Sequence, residues 1–533
     1  MVEHQADHFA LLDGEFVICE RPMPDLRDRI PSLADCGVRL FFCGPESFTT
    51  DLHPLLGPAP ELDGYWVAAG LNSLGILLGG GVGAVMAQWI VDGVPPVDIT
   101  GYAIDRVATY ETARRFRHER TTEQLGAVFG DAVWPTWKPR TARGVRRSVL
   151  HDRHVAAGAH FGVSCGWEFP EWFAGHEPAP RPIADFVRQP SFPIVAREHR
   201  AVREAVGVLD MSLMGKLLVQ GPHAAAVLSR LSANDIDREV GRVVYTQWLD
   251  PRGGIAADVT VTRQADDRFC VVASDLIQRR IEPMVRRATA PGEFVTVTDI
   301  TAGFTILSVQ GPRSRELLQP LTDTDLANES FPYLTGKDTH VGNAAVWVSR
   351  VTYVGELGFE LHVPTDQAAG LYDLLMDEGA PLGICPVGLA AMASLRLEKG
   401  YGSWGTEFVQ NITPAMCGLD HHVAPGKGDF VGRDAFVAAA GDTPPQRLVL
   451  LSVDATDADA VGFEPVWLGD RRVGYVTSGG YGHWVQQSLA LAYIDTDALD
   501  AADEFEIDII GDHRRAVVLP EVPYDPSGAL LRS

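Results

Sequence analysis

The sequence predicts an α+β protein of several domains that ends in a small barrel or jelly roll, and three observations carry that expectation. Two proline-rich joints, HEPAPRPIADFVRQPSFP (176–193) and AAAGDTPPQR (438–447), cannot hold a helix or a central strand, because proline lacks a backbone donor and fixes its own φ. Between the joints, helical patterns alternate with strand patterns: REHRAVREAVG (197–207), GPHAAAVLSRL (221–231) and DQAAGLYDLLMDEG (366–379) are the clearest helices. After the second joint come RLVLLSVD, RRVGYVTSGGYGHW (471–484) and EFEIDIIGDHRRAVVL (504–519), short β-like runs punctuated by glycine turns. No internal repeat is visible.

A chain of 533 residues, 46% hydrophobic, is long enough for three or four cores. Its formal net charge of -25 opposes binding to nucleic acid or to an anionic membrane, since the long-range field is repulsive to both. The seven cysteines (Cys19, Cys36, Cys43, Cys165, Cys270, Cys385, Cys417) show no C-x-x-C pair, which points to a reducing compartment and to no zinc or iron–sulfur site. HDRH (151–154) and DHH (420–422) offer too few ligands for a metal, and HDRH is expected on an exposed helix face. The start, MVEHQADHFALLDGEF, lacks the basic and apolar regions of a secretory signal. Glycines together with Asn72, Ser73 and Gln88 interrupt the apolar stretch 64–91, which argues against a membrane span. The expectation is a cytoplasmic protein. No G-x-S-x-G, P-loop or H-E-x-x-H occurs.

In the amino-terminal part, FFCGPESFTTDLHPLLG (41–57) and the segment 63–93 read as strand, turn, strand, glycine loop and helix. A glycine loop at a helix start presents backbone N–H groups to an anionic or electron-rich atom. Gly79, Gly81 and Ala84 mimic G-x-G-x-x-A, but no second strand with a ribose-binding acid follows, so a dinucleotide fingerprint is rejected.

The chemistry-bearing segments are YTQWLDPRGGIAADVTV (245–261), VTYVGELGFELHVP (351–364) and LRLEKGYGSWG (395–405). Asp258 follows Gly253 and Gly254 on a strand between Ile255 and Val259, so its carboxyl is expected in a pocket and titrating upward; the alternative is an aspartate that caps a turn. Tyr353 and Glu360 lie on either side of the turn VGELG, where a carboxylate can accept two adjacent N–H donors, while Glu356 inside the turn is expected to be solvated. Tyr245 either faces a ligand ring or is core, and Met214 in LDMSLMGK (209–216) either lines a ring or simply packs.

Together these segments resemble the folate site of the aminomethyltransferases of the glycine cleavage T-protein family, and the whole chain resembles the carboxy-terminal part of dimethylglycine dehydrogenase/oxidase-like proteins. The resemblance implies four parts: a partial FAD-oxidoreductase-like domain (1–100), a connecting region (101–185), a folate-binding domain (186–437) and a carboxy-terminal β-barrel (438–533). It also implies tetrahydrofolate as cofactor, with Asp258 at the reactive nitrogen, Glu360 and Tyr353 on the pterin, and Tyr245 and Met214 along the rings. The one-carbon source would be a small N-methyl amine or its iminium. Leu71 to Gly75 correspond to a turn against the flavin, so Asn72, Ser73 and Gly75 are candidate flavin contacts. The nucleotide-gripping half of that domain lies upstream in the family, so FAD is expected only if a flavin-carrying partner chain supplies the missing half in trans.

One position departs from the pattern. The glycine cleavage enzymes carry arginine two residues before the serine of GLAAMASLRLEKG (388–400), and this chain has Met392, as in the dimethylglycine oxidase-like branch, which argues against service to a lipoyl carrier. Arg396 is read as structural, paired with Glu398 or a strand carboxylate. Two rival functions remain open at this point. One is a folate-dependent O- or N-demethylase that moves an intact methyl group. The other is a folate-binding assembly subunit without catalysis, which EKGYGSW disfavours because no cysteine follows its Lys-Gly.

Overall fold

The computed structural model describes residues 23–34, 46–129 and 138–533. Cys19, Cys36, Cys43 and the start of the FFCGP segment lie outside them. The first sheet pairs β1 (Leu55–Pro58) with β2 (Trp66–Ala69), and the helix Gly75–Asp92 follows. Gly79, Gly80, Gly81 and Gly83 therefore sit inside a helix, not in a loop before one. The turn that precedes it is made by Asn72 and Ser73, both in the left-handed region with φ of 52° and 64°. Only Met86 and Trp89 of this helix are buried, and Ile76 is fully exposed. Among the described residues it is the one helix long and apolar enough to cross a membrane. Its glycines lower its intrinsic stability, so contact must hold it, and the contact present is the edge-to-face pair of Trp66 and Trp89.

A three-stranded sheet of β3 (Arg146–Arg147), β4 (Ala159–Ser164) and β5 (Trp167–Phe173) carries the short helix His151–Ala156. The expectation of an exposed HDRH face is corrected for one residue. His154 is 2% exposed, and its Nε2 lies 3.0 Å from Asp210, because its ring fills the gap between Phe173 and Tyr372.

Two larger sheets follow, built from β6 (Val206–Asp210), β7 (Gly215–Gln220), β8 (Val243–Leu249), β9 (Ile255–Ala265), β10 (Arg268–Ala273), β11 (Thr296–Asp299), β12 (Phe304–Gln310), β13 (Gly336–Val341), β14 (Ala344–Ser349), β15 (Gly358–Pro364) and β16 (Ile384–Pro386). One has the order β11-β7-β10-β9-β8 and the other β13-β14-β15-β12-β6-β16; every pairing is antiparallel except β6 with β16. Helices Ala224–Leu231 and Gln278–Ala288 bury their apolar faces on the first sheet, and Thr365–Gly379 on the second. The predicted helix 197–207 ends earlier, at Glu204, and Val206 and Gly207 begin β6. The reason is local. All five residues of β6 are buried, and a side chain at Gly207 would lie 2.6 Å from Val202 and 2.8 Å from Val387, so this run reads as a central strand.

The carboxy-terminal unit is a closed barrel of β17 (Gln446–Val453), β18 (Pro465–Leu468), β19 (Arg471–Gly482), β20 (Gln487–Asp495), β21 (Glu504–Ile509) and β22 (Asp512–Val518), in the order β17-β20-β19-β18-β21-β22. Closure leaves no open sheet edge. The barrel is tied to the sheets through buried Glu407, which accepts hydrogen bonds from Thr477 (2.6 Å), Ser478 (2.5 Å) and Arg396 (3.1 Å). Arg396 thus pairs with Glu407 and not with Glu398, which is held by Arg203 (2.9 Å) and His199 (3.2 Å).

Candidate functional site

The position of Asp258 begins with the turn before it. Asp250 Oδ1 accepts the backbone N–H groups of Arg252 (2.7 Å) and Gly254 (3.1 Å), so the turn-capping aspartate is Asp250. Gly254 is required sterically, since a Cβ there would meet the Gln410 carbonyl at 1.9 Å. The chain then enters β9 in a register that sets Asp258 opposite Gln247 of β8. Gln247 Nε2 donates to Asp258 Oδ1 at 2.9 Å, and the strand period of two puts Tyr245 on the same face. Burial pushes the Asp258 carboxyl up to about 6, while Gln247 and the Tyr245 hydroxyl hold it back. Burial also raises the Tyr245 hydroxyl well above its ordinary range, and Asp258 adds to this. The Tyr245 ring stands edge-on to His422 with centroids 5.0 Å apart.

Tyr353 lies in the loop joining β14 to β15. Its hydroxyl donates to the Gly402 carbonyl at 2.8 Å, and its ring stacks on Tyr401 at 6.1 Å. Burial pushes the hydroxyl up to about 12, with Arg396 opposing and Asp258 contributing to the rise. Glu356, expected in solvent, is 2% exposed and is held by Arg203 (3.1 Å) and the Tyr524 hydroxyl. The turn folds inward there because buried Arg203 has two acids to satisfy, and Glu356 is one of them.

Glu360 is on β15, opposite Ser308 and Ser349. Its side chain is 24% exposed, and among the described residues no donor hydrogen-bonds its carboxylate; His362 Nε2 lies 4.0 Å away. Burial pushes this carboxyl up to about 7, with Lys216 opposing. His362, on the same strand face, is driven down to about 3 by burial and is neutral. Met214, in the loop between β6 and β7, is half-buried and accepts a hydrogen bond from Lys216 Nζ through its carbonyl, at 2.8 Å.

The residues thus form two groups on facing sheets: Asp258 with Tyr245, Gln247 and Tyr353, and Glu360 with His362, Lys216 and Met214. Tyrosines bridge them, since Tyr353 stacks on Tyr401, Tyr401 feels Tyr333, and Tyr333 feels Glu360. A cavity of about 460 Å³ meets this site only at His362 and continues beyond it between Phe304, Trp347, Cys270 and Arg268. Gln247, Lys216 and His362 were not singled out from the sequence. Alternation along β8 and β15 is the signal that would have found Gln247 and His362, each two residues from a chosen one.

Asn72, Ser73 and Gly75 belong to another part of the molecule. The Asn72 amide bonds Thr49 and Gly70, and the Ser73 hydroxyl donates to Glu46. A side chain at Gly75 would meet only ordinary contacts, at 3.6 Å. With the amide of Asn72 already spent, and only a two-stranded antiparallel sheet beside the helix, the described residues do not enclose a flavin. The folate-type group fits better. Glu360 is an acceptor without a donor, and Gln247 Oε1 is a buried acceptor without a partner.

The GCVT N-terminal domain family model matches residues 150–427, more than half of the chain, and spans both carboxylate groups. The chain belongs to the glycine cleavage T-protein family. The family's carboxy-terminal barrel domain matches residues 446–525, and the FAD dependent oxidoreductase central domain matches residues 92–148. Among curated members, the chain is 35% identical over 94% of its length to 4-methylaminobutanoate oxidase (formaldehyde-forming) of Paenarthrobacter nicotinovorans, covering 61% of that protein. It is 31% identical over 95% of its length to mitochondrial dimethylglycine dehydrogenase of Mus musculus, covering 58% of it. The chain therefore spans about three fifths of the length of these relatives. The crystal structure of the glycine cleavage system aminomethyltransferase T from Bartonella henselae superposes with a TM-score of 0.61 at 26% identity, over 71% of this chain and 98% of that one.

Proposed function

We propose that this T-protein family chain transfers a one-carbon unit to tetrahydrofolate, the carbon coming from a small N-methyl amine oxidised to its iminium by a flavin-bearing partner. The observation that carries this reading is the pair of unneutralised carboxyls, Asp258 and Glu360, on facing sheets of a tyrosine-lined cleft. Folate supplies the nucleophilic nitrogen. The chain supplies the rest. Glu360, with no internal donor, accepts the paired N–H groups of the pterin edge, and Tyr353 and Met214 flank the ring. Asp258, poised near 6, is mostly ionised at neutral pH and accepts the proton that a secondary amine must lose when it gains a methylene. Gln247 keeps its carboxylate aimed.

The relatives' names support a methylated amine as the carbon source, and the match to an FAD dependent oxidoreductase central domain supports a flavin nearby. The apolar face of helix Gly75–Asp92, with Ile76, Leu77 and Val91 exposed, is suited to packing against such a flavin-bearing body. Titration calorimetry with tetrahydrofolate, followed by product analysis after adding formaldehyde, tests the core of the reading. Binding with formation of 5,10-methylenetetrahydrofolate supports it. Formation of 5-methyltetrahydrofolate from a methyl donor would favour a demethylase, and absence of binding would end the folate assignment.

A further inference from the structure

Lys216 on β7 has no exposed surface, and among the described residues no carboxylate lies within 4.0 Å of its ammonium. Burying an unpaired ammonium costs several kcal/mol, so its neighbours must compensate. Its Nζ donates to the carbonyls of Ser212 (3.0 Å) and Met214 (2.8 Å), and its backbone N–H is fixed on Thr301 Oγ1 (3.0 Å). An ammonium has three donors, and two are accounted for by these carbonyls. The charge is therefore locked in the wall between the two sheets, at the end that carries Glu360.

We propose that Lys216 is a positioning residue for the folate anchor: its fixed charge keeps Glu360 in the ionised form that accepts paired N–H donors, and its two carbonyl bonds hold the loop that presents Met214. This rests on the folate reading of the site. The charged and titratable groups around Glu360 leave no other candidate. His362, on the same strand, is neutral; Tyr333, from the loop before β13, can only disfavour the carboxylate; Lys216 opposes the effect of burial. Lys216 has no surface to offer a ligand, so it acts through Glu360 and not by contact.

The test uses Lys216→Gln, which keeps two N–H donors for the carbonyls and removes the charge. Tetrahydrofolate affinity is measured by calorimetry between pH 6 and 9 for wild type, K216Q, E360Q and the double variant. The expected outcome is that the pH at which wild-type affinity falls on acidification moves upward in K216Q by about one unit, with about tenfold weaker binding at pH 7. In the E360Q background the same change should cost nothing further. An unmoved midpoint, or an equal loss with and without Glu360, overturns the proposal in favour of a purely structural lysine. If K216Q does not fold, Lys216 is read directly by 15N NMR of its Nζ: E360Q should lower its titration midpoint, and an unchanged midpoint overturns the coupling. Failure of wild type to bind folate is a separate outcome that rejects the folate reading, while the NMR arm still decides whether the two groups are coupled.

Discussion

Gln247 and Asp258 face each other across one rung of the β8–β9 ladder, and the 2.9 Å hydrogen bond from amide to carboxylate is the one polar tether that fixes the proposed base. Because it stabilises the charged form, removing it should raise the Asp258 pKa further. The prediction for Gln247→Leu is that the acidic limb of the activity profile, expected near pH 6 in wild type, moves upward while folate affinity changes little. Asp258→Asn should lower turnover by about 10²- to 10⁴-fold, the usual range for a lost general base, with folate still bound. Steady-state rates across pH 5–9 together with calorimetry check both. Unchanged turnover in D258N would remove Asp258 from the chemistry.

Glu360 should cost the empty protein stability. Its carboxyl is raised from 4.5 to about 7 in the fold. A group raised in this way contributes stability that is present below its unfolded pKa and is lost as pH rises through the folded value. Glu360→Gln should therefore be more stable than wild type at pH 8, by at most about 3 kcal/mol, with the difference vanishing near pH 4.5. Thermal melts at the two pH values, each without folate, measure it. The same variant should lose folate affinity by about 100-fold, because one of the two N–H donors of the pterin edge then meets an amide N–H.

Much of this was legible in the sequence, for physical reasons that also mark where reading fails. The glycine pair before Asp258 and the alternation IAADVTV fix a strand and its facing side, so the environment of Asp258 follows from local pattern. Glu356 and His154 do not follow. Both are polar residues in a turn or short helix, where solvation is the ordinary outcome, and both are buried because partners far along the chain, Arg203 and Asp210, need them. Lys216 is hidden for the same reason. Its neighbours come from strands that meet only in the assembled sheets. The glycines at 79–83 misled in the opposite sense, since glycine weakens a helix without forbidding one.

Glu407 should be the keystone between the sheets and the barrel. Besides Thr477, Ser478 and Arg396, it accepts from the Ser403 backbone N–H (2.8 Å) and from Thr406 (2.7 Å), and its carboxyl is held below the usual range against the effect of burial. Glu407→Ala leaves the Arg396 guanidinium buried and unpaired, a loss of about 3–5 kcal/mol. Denaturant unfolding should show a lower midpoint or an early transition in which the barrel releases. Since Arg396 also opposes the rise of the Tyr353 pKa, folate affinity should fall with it.

The helix Gly75–Asp92 makes the most exposed apolar surface described, with Ile76 at 105%, Val91 at 83% and Leu77 at 78% of full exposure. Leaving such side chains in water forfeits about 1.5–3 kcal/mol each, a cost that a covering partner removes. Ile76→Glu and Leu77→Glu lie away from Asp258 and Glu360, so folate binding should be unchanged. If this face seats the flavin-bearing body, the double variant should stay monodisperse by size-exclusion chromatography and lose amine-dependent methylene transfer while retaining transfer from free formaldehyde. Loss of both activities together would point to misfolding, and retention of both would mean that the oxidised carbon arrives by a route that does not use this helix.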